Sequence, residues 1–117
     1  MQYSYQQLSV WQAAMDLTVF VYHLTKDFPA EERYNLIDQM HRAAISIPSN
    51  IAEGRGRGSD KDFRHFLYIA RGSCLEVETQ LVLSFRLGFL SDDSLQEGLS
   101  RCREIRNKLT KLASSLR

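Results

Sequence analysis

The sequence predicts an all-α protein, an antiparallel, up-down-up-down bundle of four helices with the second kinked near Pro48. Three observations predict it. The 117 residues include only two prolines and six glycines, and most of these cluster, leaving long uninterrupted stretches between them. Within the stretches apolar residues recur at three- and four-residue steps, the period of a helix with one buried face. The connections are short, and short connections force neighbouring helices to lie antiparallel.

Helix one is expected over 7–26, its stripe formed by Val10, Ala14, Leu17, Val21 and Leu24. Pro29 suits a first helical turn, where its missing N–H costs nothing. Glu31 and Glu32 follow it, at the helix end where negative charge is favoured. Helix two is expected over 30–55, with the stripe Ile37, Met40, Ala44, Ile47 and Ile51. Pro48 lies inside it, cannot donate to the Ala44 carbonyl and crowds it, so a kink is expected. The freed carbonyl needs a donor, and Ser49, Asn50 or Ser73 offers one.

Ser59 is a suitable N-cap for helix three, with Asp60 and Asp62 in the first turn. The stripe Phe63, Phe66, Leu67, Ala70, Cys74, Val77, Leu81 and Phe85 carries that helix to about residue 87. Gly88 fits the left-handed position that ends it. Ser91 caps helix four, and Leu90 and Leu95 occupy the two positions of a hydrophobic staple. The run Leu95, Leu99, Cys102, Ile105, Leu109, Leu112, Leu116 then has the spacing of a coiled-coil seam. One domain spanning 1–117 is expected.

Bulk composition narrows the function classes. Net charge is +1, so no global basic field attracts nucleic acid, and such binding requires a local patch. No apolar run reaches the length of a membrane span, and "MQYSYQQLSVWQ" lacks the charged start and apolar run of a signal peptide. Cys74 and Cys102 each sit in an apolar stripe, which reads as buried free thiols in a reducing cytoplasm rather than a disulfide. Neither belongs to a CxxC pair, and His23, His41 and His65 fall on three different helices. No metal and no cofactor are expected.

The stretch "SIPSNIAEGRGRGSDKDF", 46–63, is the most unusual. Its glycines suggest a phosphate loop, but a dinucleotide fingerprint needs a strand before it, and a Walker motif needs Gly-Lys-Ser/Thr. A helix precedes it here. The plain reading is a helix end and a turn closed by Ser59. The functional reading is a basic corner of Arg55, Arg57, Lys61 and Arg64 that holds RNA phosphates or an acidic partner. If helices two and three turn near residue 58, Ser46 faces Gly72 and the backbones approach closely there. The same register pairs Arg42 with Glu76, and Glu53 with Arg64 or His65. Together with Asn50 and Ser73 these form an expected polar network, structural rather than catalytic: Asn50, Glu53 and Glu76 lack a nucleophile, a metal-ligand cluster and an oxyanion arrangement.

Segment 98–117 carries six basic residues against the single acid Glu104, a local charge of +5. Arg101, Arg103, Arg106 and Lys108 are its candidate RNA contacts, against the plain reading of a solvated face. Apolar surface is in surplus. Trp11, Met15, Val19 and Tyr22 form a second stripe on helix one, and Tyr68, Leu75 and Val82 lie outside the main stripe of helix three. A lone four-helix bundle needs one apolar face per helix, so Trp11, Met15, Val19, Tyr22 and Tyr68 are expected at an interface between copies.

The stretch "FPAEERYNLIDQMHRAAISIPSNIAEGRGRGSDKDFRHFLYIARGSCLEVETQL", with "LSVWQAAMDLTVFVYHLT" before it and "LGFLSDDSLQEG" after it, resembles a family of bacterial four-helix bundle proteins. These were first noted as reading frames within intervening sequences of 23S ribosomal RNA genes and are called S23-type. The resemblance implies a small cytosolic all-α protein whose relatives assemble as rings, with a pentamer expected. It also implies similarity to the basic, RNA-associated accessory proteins of diversity-generating retroelements. It implies no established biochemical role. The expectation is a non-enzymatic homo-oligomer that contacts RNA, and the alternative is a protein–protein scaffold with no nucleic-acid role.

Overall fold

Serine caps and left-handed glycines set the helix ends. The Ser59 hydroxyl accepts from the Asp62 N–H at 3.1 Å, and Ser91 accepts from the Ser94 N–H at 3.1 Å. Each satisfies one of the donors left unpaired in a first turn. Gly88 has φ 81°. Its N–H bonds to the Phe85 carbonyl and that of Phe89 to the Ser84 carbonyl, both at 2.9 Å, the bond pair of a Schellman end. Gly58, with φ 91°, turns the chain between the second and third helices.

The computed structural model describes residues 4–117. Among the described residues there are four α-helices and no strand, which bears out the all-α reading. They are α1 (Ser9–Thr25), α2 (Leu36–Gly56), α3 (Asp60–Arg86) and α4 (Asp92–Ser115), with short 3-10 turns at Tyr5–Gln7 and Ala30–Glu32. Helix α2 begins six residues later than the sequence suggests. Pro29 heads the second 3-10 turn, and Asn35 takes φ −130° and ψ −103°, which a continuous helix does not allow. With this break, Phe28 and Leu36 are both buried.

Contacts between helices fix their directions. Gly54 approaches Phe66, Ser46 bonds Ser73 and Gln39 accepts from Gln80, so α2 and α3 run in opposite directions. The same holds for α3 and α4, where Leu81 meets Gly98 and Asp60 accepts from the Arg117 N–H. Helix α4 packs back on α1, with Gly98 beside Phe20 and Lys108 donating to Ser9. Except at Phe85, which the stripe of helix three included and which is exposed, the predicted stripes meet in one core. Leu17, Met40, Ile47, Ile51, Leu67, Leu81, Ile105 and Leu109 are among its fully buried side chains, each contributing roughly 1.5–3 kcal/mol by leaving water.

Two features of the helix packing differ from the sequence reading. Ser46 meets Ser73 rather than Gly72. Gly72 is exposed, and an added Cβ there meets nothing within 4 Å. The close approaches belong to Gly54 and Gly98. A Cβ on Gly54 would fall 2.5 Å from the Phe66 Cβ, and one on Gly98 would fall 2.7 Å from the Leu81 Cδ1. The second difference concerns Pro48. Helix α2 runs through it as expected, but the Ala44 carbonyl takes its hydrogen bond from α1. Thr18 Oγ1 lies 3.1 Å from that oxygen and 2.8 Å from the Ala14 carbonyl oxygen, one hydroxyl proton serving two acceptors. None of the three expected donors makes this bond. Asn50 donates instead to the Ser46 carbonyl at 2.7 Å.

Candidate functional site

Three places on the bundle carry chemistry, and the first is the end where α2 turns into α3. The contacts of Asp60 with Arg117 and of Lys108 with Ser9 bring the end of α4 and the start of α1 to this same end. Arg55, Arg57, Lys61, Arg64, Lys108, Lys111 and Arg117 therefore gather there, against Glu53, Asp60 and Asp62. The opposite end holds Asp27, Glu31, Glu32, Asp38, Asp92 and Asp93 against Lys26, Arg33 and Arg86. Net charge is thus biased from one end to the other along a body 46 Å long.

Local contacts decide which of the predicted basic residues face outward freely. Arg57 pairs with Glu53 at 2.7 Å and lies 4.9 Å from the Phe66 ring centre. Arg55 sits 6.0 Å from the Phe63 ring. Arg64 donates to the Arg117 carbonyl at 3.1 Å. Arg101 pairs with Glu97 at 3.0 Å and covers Phe20 at 5.1 Å. Arg106 reaches across to Glu78 on α3, in a pair largely shielded from water. Lys61 and Arg103 are exposed. Helix four is therefore a weaker phosphate surface than its +5 charge suggests, because two of its four candidate residues already hold carboxylates.

The expected polar network does not form. Arg42 pairs with Asp38 at 3.1 Å rather than with Glu76, and Glu53 pairs with Arg57 rather than with Arg64 or His65. Both observed pairs are four apart on one exposed helix face, where partners meet without any alignment between helices. Glu76 points to solvent. What remains between α2 and α3 is a small hydroxyl cluster, Ser46 with Ser73, backed by Asn50.

The second place is the apolar surface. On α3, Tyr68 is 53% exposed, Leu75 47% and Leu83 46%. With Val82 and Leu99, the two leucines line an open groove of about 630 Å³ that also includes Glu78, Thr79 and Arg86. Gly72 continues the same α3 face. On α1, Met15 and Val19 are exposed. Trp11, expected at this surface, is instead half-buried against the core, its ring in edge contact with Tyr5 at 5.3 Å.

Tyr22 stacks on His41 of its own chain with ring centres 3.7 Å apart. The His41 Nε2 lies 2.9 Å from the Thr25 hydroxyl. Burial holds the His41 pKa below its ordinary value of 6.5, with the nearby Asp38 opposing the shift. A lowered folded pKa means that the unfolded chain binds more protons between the two values. Stability is therefore expected to fall as pH drops below about 6.5. His41→Phe, which keeps a ring against Tyr22, is expected to flatten that part of the profile. Urea midpoints at pH 7.5 and 5.5 check this, and equal losses in both proteins would contradict it.

The third place lies between α3 and α4, where Cys74, Glu78 and Cys102 bring two sulfurs and a carboxylate oxygen within 4.8 Å of one another. The sequence reading set both cysteines aside because neither lies in a CxxC pair. The usable signal was the i, i+4 spacing of Cys74 and Glu78, with Cys102 opposite them once helices three and four are paired. Among the described residues, no helix is long and apolar enough to cross a membrane.

Comparison with known proteins places this architecture. No curated protein matches the chain. A solved structure from Bacteroides thetaiotaomicron, a protein of unknown function from the S23 ribosomal protein family, shares the fold with a TM-score of 0.82. The two are 24% identical over 90% of this chain and 95% of that one. The model of one family matches residues 6–111. By that match, which covers all four helices but for the last residues of α4, the chain belongs to the 23S rRNA-intervening sequence proteins.

Proposed function

We propose that this protein is a non-enzymatic, self-associating bundle whose function is exercised by the assembled form, a closed ring with five copies as the expected number. The observation that carries this reading is the outward apolar stripe of α3, Tyr68, Leu75 and Leu83 with the groove beside it. A contiguous face of this kind stays exposed only at a cost in solubility, and further copies of the chain cover it in a symmetric assembly. Unpaired buried thiols fit a reducing, cytoplasmic setting for such an assembly. Because copies stabilise one another by mass action, the melting temperature is expected to rise with protein concentration. Thermal melts over roughly a hundredfold concentration range test this, and a constant melting temperature would contradict it.

A second reading, contact with RNA, is favoured by the gathering of basic residues at one end. In a ring whose axis runs along the bundles, every basic end lies on one face, which multiplies the local charge. Binding of structured RNA is then expected to weaken steeply between 50 and 200 mM salt, an affinity loss on the order of tenfold or more for several phosphate contacts. Lys61→Gln together with Arg64→Gln is expected to lower the salt slope by about two. Filter binding measures both. Retention that ignores salt, or no retention at all, leaves the alternative of a protein-only scaffold.

A further inference from the structure

We propose that Cys74, Glu78 and Cys102 form a site for one zinc(II) ion between α3 and α4. Geometry is the first support. The three ligand atoms already lie within 4.8 Å of one another. Tetrahedral zinc with Zn–S bonds of about 2.3 Å sets its ligand atoms roughly 3.8 Å apart. The sulfurs and the oxygen therefore need to close by no more than about an ångström, a distance that side-chain rotation covers. Cys74 and Glu78 are one helical turn apart on α3 and project from the same face. Cys102 approaches from α4, and the Cys74 thiol donates to its carbonyl at 3.3 Å.

Charge is the second support. Two thiolates and a carboxylate around a divalent ion leave one negative charge in excess. The Arg106 guanidinium, which already bonds Glu78, supplies the compensating positive charge. Its Nε holds the Glu78 Oε2, while the Nη2 is 3.4 Å from Oε1, so Oε1 is the more weakly held oxygen and the one free to turn to a metal. An outer guanidinium of this kind orients a ligating carboxylate.

Access is the third support. The sulfurs are buried, whereas Glu78 lines the groove on the α3–α4 face. In a single chain, before other copies cover the groove, an ion entering from it meets the carboxylate first. Binding forms two Zn–S bonds and one Zn–O bond, and the two thiol protons leave to solvent. Three protein ligands keep a fourth position for water or another donor.

Cobalt(II), which occupies zinc positions and reports thiolate ligation as near-ultraviolet charge-transfer absorbance, tests the site in the full-length protein reduced with a thiol-free reductant. A single cobalt per chain with that absorbance, displaced by zinc, is expected. Cys74→Ser and Cys102→Ser should each remove or sharply diminish the band, with circular dichroism showing the helices intact. Glu78→Gln should keep the band but weaken binding by about tenfold or more. Absence of the band in the wild type at roughly a hundredfold cobalt excess, with both thiols titrating as free in denaturant, would overturn the proposal. So would a band that survives Cys74→Ser unchanged, or thiols that no longer titrate because they have joined as a disulfide.

Discussion

Tyr68→Glu is expected to reduce the assembled protein to single chains of 13.5 kDa while leaving the helices folded. Tyr68 is more than half exposed, lies outside the buried core and makes no described hydrogen bond, so the monomer loses little by the change. An assembly that covers this position would have to bury an unpaired carboxylate, at a penalty of several kcal/mol. Even about 3 kcal/mol corresponds to a loss of more than a hundredfold in affinity. Leu75→Glu, on the groove margin, is expected to act in the same way. Trp11→Glu is a poorer test, because Trp11 packs against the core and Tyr5 and its loss would weaken the fold itself. Sedimentation velocity paired with a circular dichroism melt separates the two effects. An unchanged mass in both α3 variants would refute the assignment of this face.

The largest effect on folding is expected at Gly54. Helix α2 crosses α3 so closely there that an added methyl group would overlap the Phe66 Cβ. A Cβ is fixed to its own backbone, so relief requires the two helices to separate. Overpacking of this kind costs about 1–3 kcal/mol. It outweighs the gain of up to about 1 kcal/mol that alanine brings to a helix interior. Gly54→Leu is expected at the top of the overpacking range, lowering the melting temperature by roughly 10 °C in a domain of this size. Gly98→Ala is expected to cost less, because its nearest neighbour is the far end of the flexible Leu81 side chain. Urea midpoints for the variants rank them directly, and a Gly54→Ala protein as stable as the parent would contradict this account of the α2–α3 contact.

Gly54 also shows what was legible in the sequence and what was not. The number of helices and most of their buried faces followed from the three-four spacing of residues such as Leu17, Met40, Leu67 and Ile105, although the start of α2 did not. The ends followed from Ser59, Ser91 and Gly88, whose roles depend on one turn of local backbone. Contacts between helices were not legible to the same precision. The predicted register differed by a single residue at Ser46, and in a helix that rotates the facing side chain by about 100°. This moves the contact from Gly72 to Ser73, turns Glu76 to solvent and leaves Arg42 to its neighbour Asp38. Thr18 on α1, rather than a residue of α2 or α3, supplies the donor for the Ala44 carbonyl, because sequence gives no measure of how closely α1 approaches Ala44. The basic corner at 55–64 was legible as composition. Its partners Glu53 and Arg117, and the engagement of Arg101 and Arg106 by acids, emerge only from packing.

The claim on which the rest depends is that the outer faces of α1 and α3 meet other copies of the chain. Native mass spectrometry of the wild-type protein at low micromolar concentration tests it most directly. The account predicts a discrete species at an integral multiple of 13.5 kDa, five copies being the expected number. A soluble species at the mass of one chain, persisting across the concentration range, would contradict it.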